Sequence, residues 1–274
     1  MPQPDVGKLN LTAMPNHAET ANETRRLTAS EIFEAAVENA RSEVKRAPRT
    51  LAFSGLAGGL TMGLTGLGVA SVRAILGPGH WQDLASYLIY PVGFIAVIIG
   101  RAQLFTENTL YPVILLLDER KYFLETFRLW AVVFIANVMG ALLFAVLAVR
   151  SEALKPEIAG QLISLGTEAV HASGGQIFWS GIIGGWLIAL VAWVVTASHW
   201  TIGQLVMVWL LTFIVGVGRF AHCIASSGEI LSAVVSGNLP AITYLHWLLL
   251  ATLGNIVGGV VIVSLLNYGQ VRAQ

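Results

Sequence analysis

"GRAQLFTENTLYP", Gly100–Pro112, sits in a chain that otherwise reads as one apolar segment after another. It puts Arg101, Glu107 and Asn108 where a continuous membrane helix would run on. A charge in a bilayer is costly, and is tolerated where it is paired, lines a solute path or reaches interface water. Broken backbone is tolerated at that depth only where protein or a water-lined cavity satisfies the freed polar groups. The stretch therefore marks a break in a spanning helix near Leu104–Thr109, with Pro112 limiting helix continuity just beyond.

The surroundings support a bilayer setting. The chain is 55% hydrophobic and 12% charged, with a mean hydropathy of +0.70, whereas soluble domains carry about 25% charged residues. This is the composition of an all-α, polytopic membrane protein. A net charge of zero removes the electrostatic case for nucleic acid. One cysteine, Cys223, excludes an internal disulfide framework, and no Cys/His cluster has metal-site spacing, so neither metal nor cofactor is expected. The polar N-terminus has no pattern of a cleavable signal.

A span needs about 20 apolar residues. Six candidates occur, at about 50–76, 82–117, 124–149, 175–198, 201–236 and 243–267, the second and fifth overlong and interrupted by polar residues. Residues 1–27 read as a disordered tail and 28–48 as an amphipathic helix. Its Ile32, Phe33, Ala36, Val37 and Ala40 share one face, which suits either the membrane surface or a soluble cap. Residues 49–268 then form the transmembrane channel domain and 269–274 a C-terminal tail. Eleven basic residues on the side of the termini against three on the other place both termini in the cytoplasm, with Arg101 and Arg219 left inside spans.

Two motifs recur in the same order. Gly-x-x-Gly-Gly begins at Gly55 and at Gly181, and Asn-x-x-Gly at Asn137 and at Asn255. A unit of three spans is odd, so its second copy enters upside down. The expectation is an inverted 3+3 repeat with the solute path near the midplane. The second interruption, "VGVGRFAHCIASSGEI" at Val215–Ile230, contains His222, the one histidine deep in a span. Each break is expected to expose backbone N–H groups and a half-helix N-terminus, which favour a small anion. His222 can donate to a passing solute or exchange a proton, and Thr106 can orient the ring or the solute. Inversion suggests two crossed scaffold pairs, Arg101 with Glu229 and Arg219 with Glu107. The same charges could instead sit near span ends and reach water.

"LFTENT" at 104–109, "RFAHCIASSGEIL" at 219–231, "ANVMG" at 136–140 and "GNIVGG" at 254–259 together resemble the formate/nitrite transporter family, most closely its YfdC-like branch. The resemblance covers about 45–268. It implies an aquaporin-like six-helix fold with spans two and five broken by loops, a homopentamer with one pore per protomer, and a bacterial inner membrane location. It also implies passage of small monovalent anions or their weak acids rather than enzymatic chemistry. Carried over by position, Leu104, Phe105 and Thr106 belong to the first pore loop, with Phe105 as a hydrophobic gate. Phe220 and His222 belong to the second.

The sequence also departs from that family's usual pattern. A vestibule lysine is replaced by Ala169, flanked by Glu168 and His171. A span-four asparagine is replaced by Gly185, the residue before the central histidine is Ala221, and an asparagine four beyond it is Ser226. Arg219 is an added positive charge, and either it or Arg101 is a candidate substitute for the lysine. Two functional readings follow: a channel for a monovalent anion or weak acid, or the same fold passing a neutral solute or cation. An enzyme or a purely structural scaffold is a third class, and no nucleophile–base pair or phosphate-binding loop supports it.

Overall fold

The computed structural model describes residues 25–273, and these contain helices and no strands. The expected disordered tail, 1–27, lies almost wholly outside them. Helix α1 (Ala29–Val44) begins at a capping box in which Thr28 and Glu31 satisfy each other's end groups. Its apolar stripe is buried, with Phe33 against the ring of Tyr268, and Arg41 bonds Glu119 at 2.7 Å. The stripe thus lies on protein.

Helix α2 (Pro48–Leu76) is the first long apolar helix. The second expected span is made of α3 (His80–Tyr87) and α4 (Val92–Ile99), a break, and α5 (Tyr111–Glu119). Helix α6 (Phe123–Arg150) follows. Residues 150–174, unassigned from the sequence, carry α7 (Pro156–Ala169), which starts on a proline at its first turn. Then come α8 (Gly174–Thr196), α9 (Thr201–Val217), a second break, and α10 (Ala225–Val235). The last rod is α11 (Ala241–Val257), a π-helical stretch over Gly258–Leu265, and α12 (Leu266–Arg272). Its end runs through most of the residues read as a C-terminal tail.

Among the described residues, five helical stretches are long and apolar enough to cross a membrane: Pro48–Leu76, Trp81–Ile99, Phe123–Arg150, Gly174–Thr196 and Ala241–Arg272. Large apolar side chains such as Phe53, Phe127, Ile135 and Leu249 point outward, as a bilayer solvent allows.

The Gly and Asn motifs make matching contacts in the two halves. A Cβ on Gly59 would lie 2.0 Å from the Asn137 carbonyl oxygen, and one on Gly185 2.2 Å from that of Asn255. Small residues thus let α2 meet α6, and α8 meet α11, backbone to backbone. The Asn137 amide donates to the carbonyls of Gly55 and Gln103 and accepts from the Phe105 N–H, at 2.7–2.9 Å. Asn255 repeats the set with Gly181, Ala221 and Cys223, at 2.8–2.9 Å. Each asparagine ties a break to the first long helix of its half.

Candidate functional site

Both breaks begin the same way. Helix α4 ends at Gly100 and α9 at Gly218, and the next residue, Arg101 or Arg219, is left-handed with φ of 59° or 49°. The residue after that donates back five positions, Ala102 to Val97 and Phe220 to Val215, both at 3.0 Å. This is a Schellman stop with arginine where glycine usually stands. Gly-Arg at 100–101 and again at 218–219 is thus a third repeat signal, too short to stand out in the sequence.

Several N–H groups of the breaks are engaged within the protein, so not every one of those expected to face a solute is free to do so. Those of Gln103 and Ala221 donate to the hydroxyls of Ser54 and Ser180. Those of Phe105 and Cys223 are held by the two asparagines, and that of Ala225 donates to His222 Nδ1 at 3.0 Å. With Nδ1 accepting, the neutral ring carries its proton on Nε2. Nε2 lies 2.8 Å from Thr106 Oγ1, so the imidazole donates to the threonine and joins the two breaks. The Phe94 ring stands edge-on to the imidazole, centroids 5.1 Å apart. Phe94, Leu104, Thr106 and His222 are each at most 1% exposed.

This buried group lies between two cavities. One, of about 510 Å³, is lined by Tyr87, Tyr90, Glu168, Arg219, Phe220, Ser226 and Glu229 among others. The other, of about 230 Å³, is lined by Glu43, Arg101, Leu104, Glu107, Asn108 and Tyr111 among others. Phe105 lines neither. Its ring packs edge-on against Trp130 and Phe134, so this candidate gate is wedged into α6. Asn108 is a brace: its amide donates to Gln103 Oε1 at 2.8 Å, and Gln103 donates to Glu43.

The crossed ion pairs do not form. Each arginine leaves its half-helix toward a different cavity, and Glu107 shares a break, and a cavity, with Arg101. Arg219 instead joins a closed ring of four charges. Its guanidinium bonds Asp83 at 3.1 Å and Glu168 at 3.2 Å. Arg73 bonds the same two carboxylates at 2.8 and 3.2 Å, and both cations lie about 6 Å from the Tyr87 ring centre. Arg73 and Asp83 were missed. Arg73 was detectable, because it continues the buried face of Met62, Gly66 and Ala70 by helical spacing. Asp83 lies in the first turn of the short helix α3, at the polar edge of the second expected span. Among the described residues, no group of three or more His, Cys, Asp or Glu could hold a metal ion.

A model of the family described as "Formate/nitrite transporter" matches residues 30–269. The chain belongs to that family. It is therefore a transporter or channel protein of the membrane and not an enzyme. It is 31% identical to the inner membrane protein YfdC of Escherichia coli (strain K12), over 89% of this chain and 79% of that one. It is 30% identical to a probable formate transporter of Methanothermobacter thermautotrophicus, over 70% and 76% of the two chains. Among solved structures, it shares the fold of an FNT family ion channel, with a TM-score of 0.78 at 19% identity over 89% of this chain and 99% of that one. It also shares the fold of a pentameric formate channel with formate bound, with a TM-score of 0.70 at 19% identity over 84% and 99%.

Proposed function

We propose that this family member conducts a small monovalent anion, or its conjugate acid, through a midplane constriction formed by His222 and Thr106. The bond between His222 Nε2 and Thr106 Oγ1, joining two helix breaks between two cavities, is the observation that carries the reading. A bare anion loses its hydration among Phe94, Leu104 and Phe220, at a cost that hydrogen bonding or protonation offsets. Thr106, accepting from the imidazole, keeps its own hydroxyl proton for a solute. The names of the Methanothermobacter relative and of the formate-bound channel make formate the first solute to try.

In this reading the chain makes six crossings as two oppositely oriented halves, and the recurring asparagine and Gly-Arg contacts support it. The fold shared with a pentameric channel, together with the apolar lateral face, supports a homopentamer in a lipid bilayer. The distribution of basic residues supports cytoplasmic termini, and the name of the Escherichia coli relative supports an inner membrane. The larger cavity is then the outer vestibule and the smaller one the inner.

The test is formate and nitrite uptake into proteoliposomes as a function of pH, with wild type and His222→Ala. Uptake that rises on acidification and falls at least tenfold in the variant is expected. Neutral-solute flux with no anion flux overturns the reading. One observation favours that second reading, a neutral solute or cation: Ala169 replaces the lysine, and the charge of Arg219 is already met by Asp83 and Glu168.

A further inference from the structure

The ring of four charges at the outer vestibule pairs both of its arginines with Asp83 and Glu168, although the buried Arg73 Nε has no partner, and this leaves Glu229 below it as the unpaired acid among the described residues of the vestibule. Glu229, on α10, is 8% exposed and lines the cavity, yet its carboxylate makes no hydrogen bond or ion pair with any described residue. Its position is enforced by backbone packing. A Cβ on Gly66 of α2 would meet Glu229 Cγ at 2.6 Å, and one on Gly166 of α7 would meet its carbonyl oxygen at 2.2 Å. The carboxyl end is therefore held toward the cavity in a cleft with no room for another side chain.

The titratable groups around it are Arg73 from α2, Tyr87 from α3, Tyr90 ahead of α4, Glu168 from α7 and Arg219 from the break. His171 lines the same cavity from the loop after α7. From α6 and α11 the neighbours on this side are Phe144, beside Gly228, and Trp247, in the cavity wall. Both arginines and both ring carboxylates are engaged with one another. A buried polar side chain without a partner is uncommon, and where it faces a cavity the partner is a solute or water.

We propose that Glu229 is the proton-exchanging contact of the outer vestibule. The inference rests on the anion or weak-acid reading above. The protonated carboxyl donates one hydrogen bond to the incoming anion. Its O–H bond then breaks as an O–H bond forms on the solute, leaving a carboxylate and a neutral acid. The neutral acid enters the constriction between Phe220 and His222. A proton from vestibule water restores the carboxyl, so one proton moves with each solute and no net charge crosses.

The test measures uptake of formate, nitrate and methylammonium by wild type, Glu229→Gln and Glu229→Asp in proteoliposomes holding a pH-reporting dye. Nitrate cannot be protonated in the range used, and methylammonium reports a cation site. Expected for wild type are formate uptake rising on acidification, one proton delivered per formate, and nitrate uptake at least tenfold lower. Glu229→Gln, the same shape without an exchangeable proton, loses at least tenfold of formate uptake and its pH dependence. Glu229→Asp keeps a pH-dependent profile. An unchanged formate profile in Glu229→Gln overturns the proposal and leaves the weak-acid reading standing. Methylammonium uptake by wild type that Glu229→Gln abolishes also overturns it, in favour of a cation site. Absence of formate flux in wild type removes the functional reading itself.

Discussion

Arg101 and Arg219 hold a backbone conformation in which a side chain costs roughly 1–2 kcal/mol relative to glycine. That both helix stops tolerate it points to a use for each guanidinium. The use differs: Arg219 closes the ion ring, whereas Arg101 lines the inner cavity with Glu43 and Glu107. Magnitudes separate the two arginines of the ring. The Arg219 side chain is 50% exposed, and half-exposed pairs contribute about 1 kcal/mol or less each. Arg219→Gly relieves the left-handed strain while losing those pairs, so its stability is expected to stay within about 1 kcal/mol of wild type. Arg73 is 4% exposed, and its removal leaves Asp83 and Glu168 to one cation. Arg73→Ala is expected to cost about 1–3 kcal/mol, less than a fully buried pair because its partners still reach water. Unfolding of the two variants in detergent checks the order. Equal losses would mean that the ring is held by Arg219 as much as by Arg73.

At the scale of elements, the two asparagines staple each break to a long helix. Asn137→Ala leaves an amide N–H and two carbonyls without their partner, and Asn255→Ala does the same in the other half. At about 1–3 kcal/mol for each buried group left unsatisfied, either change is expected to destabilise by about 3 kcal/mol or more. It should also speed amide exchange in its own break first, which mass-spectrometric hydrogen exchange resolves. Loss of protection spread evenly over both breaks would argue against separate staples.

The Gly and Asn repeats were legible because each motif lies within one helix and recurs at fixed spacing. The apolar runs exposed the long helices for the same reason. Helix α7 was hidden although Ile158, Leu162 and Leu165 recur at helical spacing, because its 14 residues are too few for a span. The charge ring was hidden because Arg73, Asp83, Glu168 and Arg219 come from four separate elements that only tertiary packing brings together. His222 and Thr106 could be singled out as polar residues in apolar breaks. That Phe105 turns into α6 and leaves both cavities could not, since neighbouring break residues share the same composition.

Helix α1 carries a pH dependence of its own. The backbone N–H and hydroxyl of Thr28, with Arg25 beside them, lower the Glu31 carboxyl from its ordinary 4.5 to about 2. A carboxyl lowered on folding stabilises above its unfolded value and loses that contribution as pH falls through the folded one. The cap is therefore complete at neutral pH and released between 4.5 and about 2. Amide exchange in the first turn of α1, corrected for intrinsic rates, should rise over that window, and Thr28→Ala should show the rise at neutral pH. Protection that is flat from neutral pH to pH 2 would remove the capping box as the source.

For the whole molecule, the cavities of about 510 and 230 Å³ share no lining residue, and the buried Phe94, Thr106 and His222 line neither. A neutral weak acid crosses such a buried plug at the cost of a few hydrogen bonds, whereas a bare anion must also shed most of its hydration. On the proposed function, selectivity for protonatable solutes resides in this plug, and widening the plug should erode it. Leu104 is the plug residue to shorten, since it lines the inner cavity and is 1% exposed. Leu104→Ala removes apolar volume beside Thr106 without touching the His222 bond or the asparagine staples. Water entering that space can follow an anion inward. Chloride leak into proteoliposomes is expected to rise at least several-fold relative to formate uptake, with the oligomer unchanged on sizing. If chloride stays excluded while formate flux is unaltered, exclusion resides elsewhere, and the ion ring at the vestibule mouth becomes the selectivity element to test.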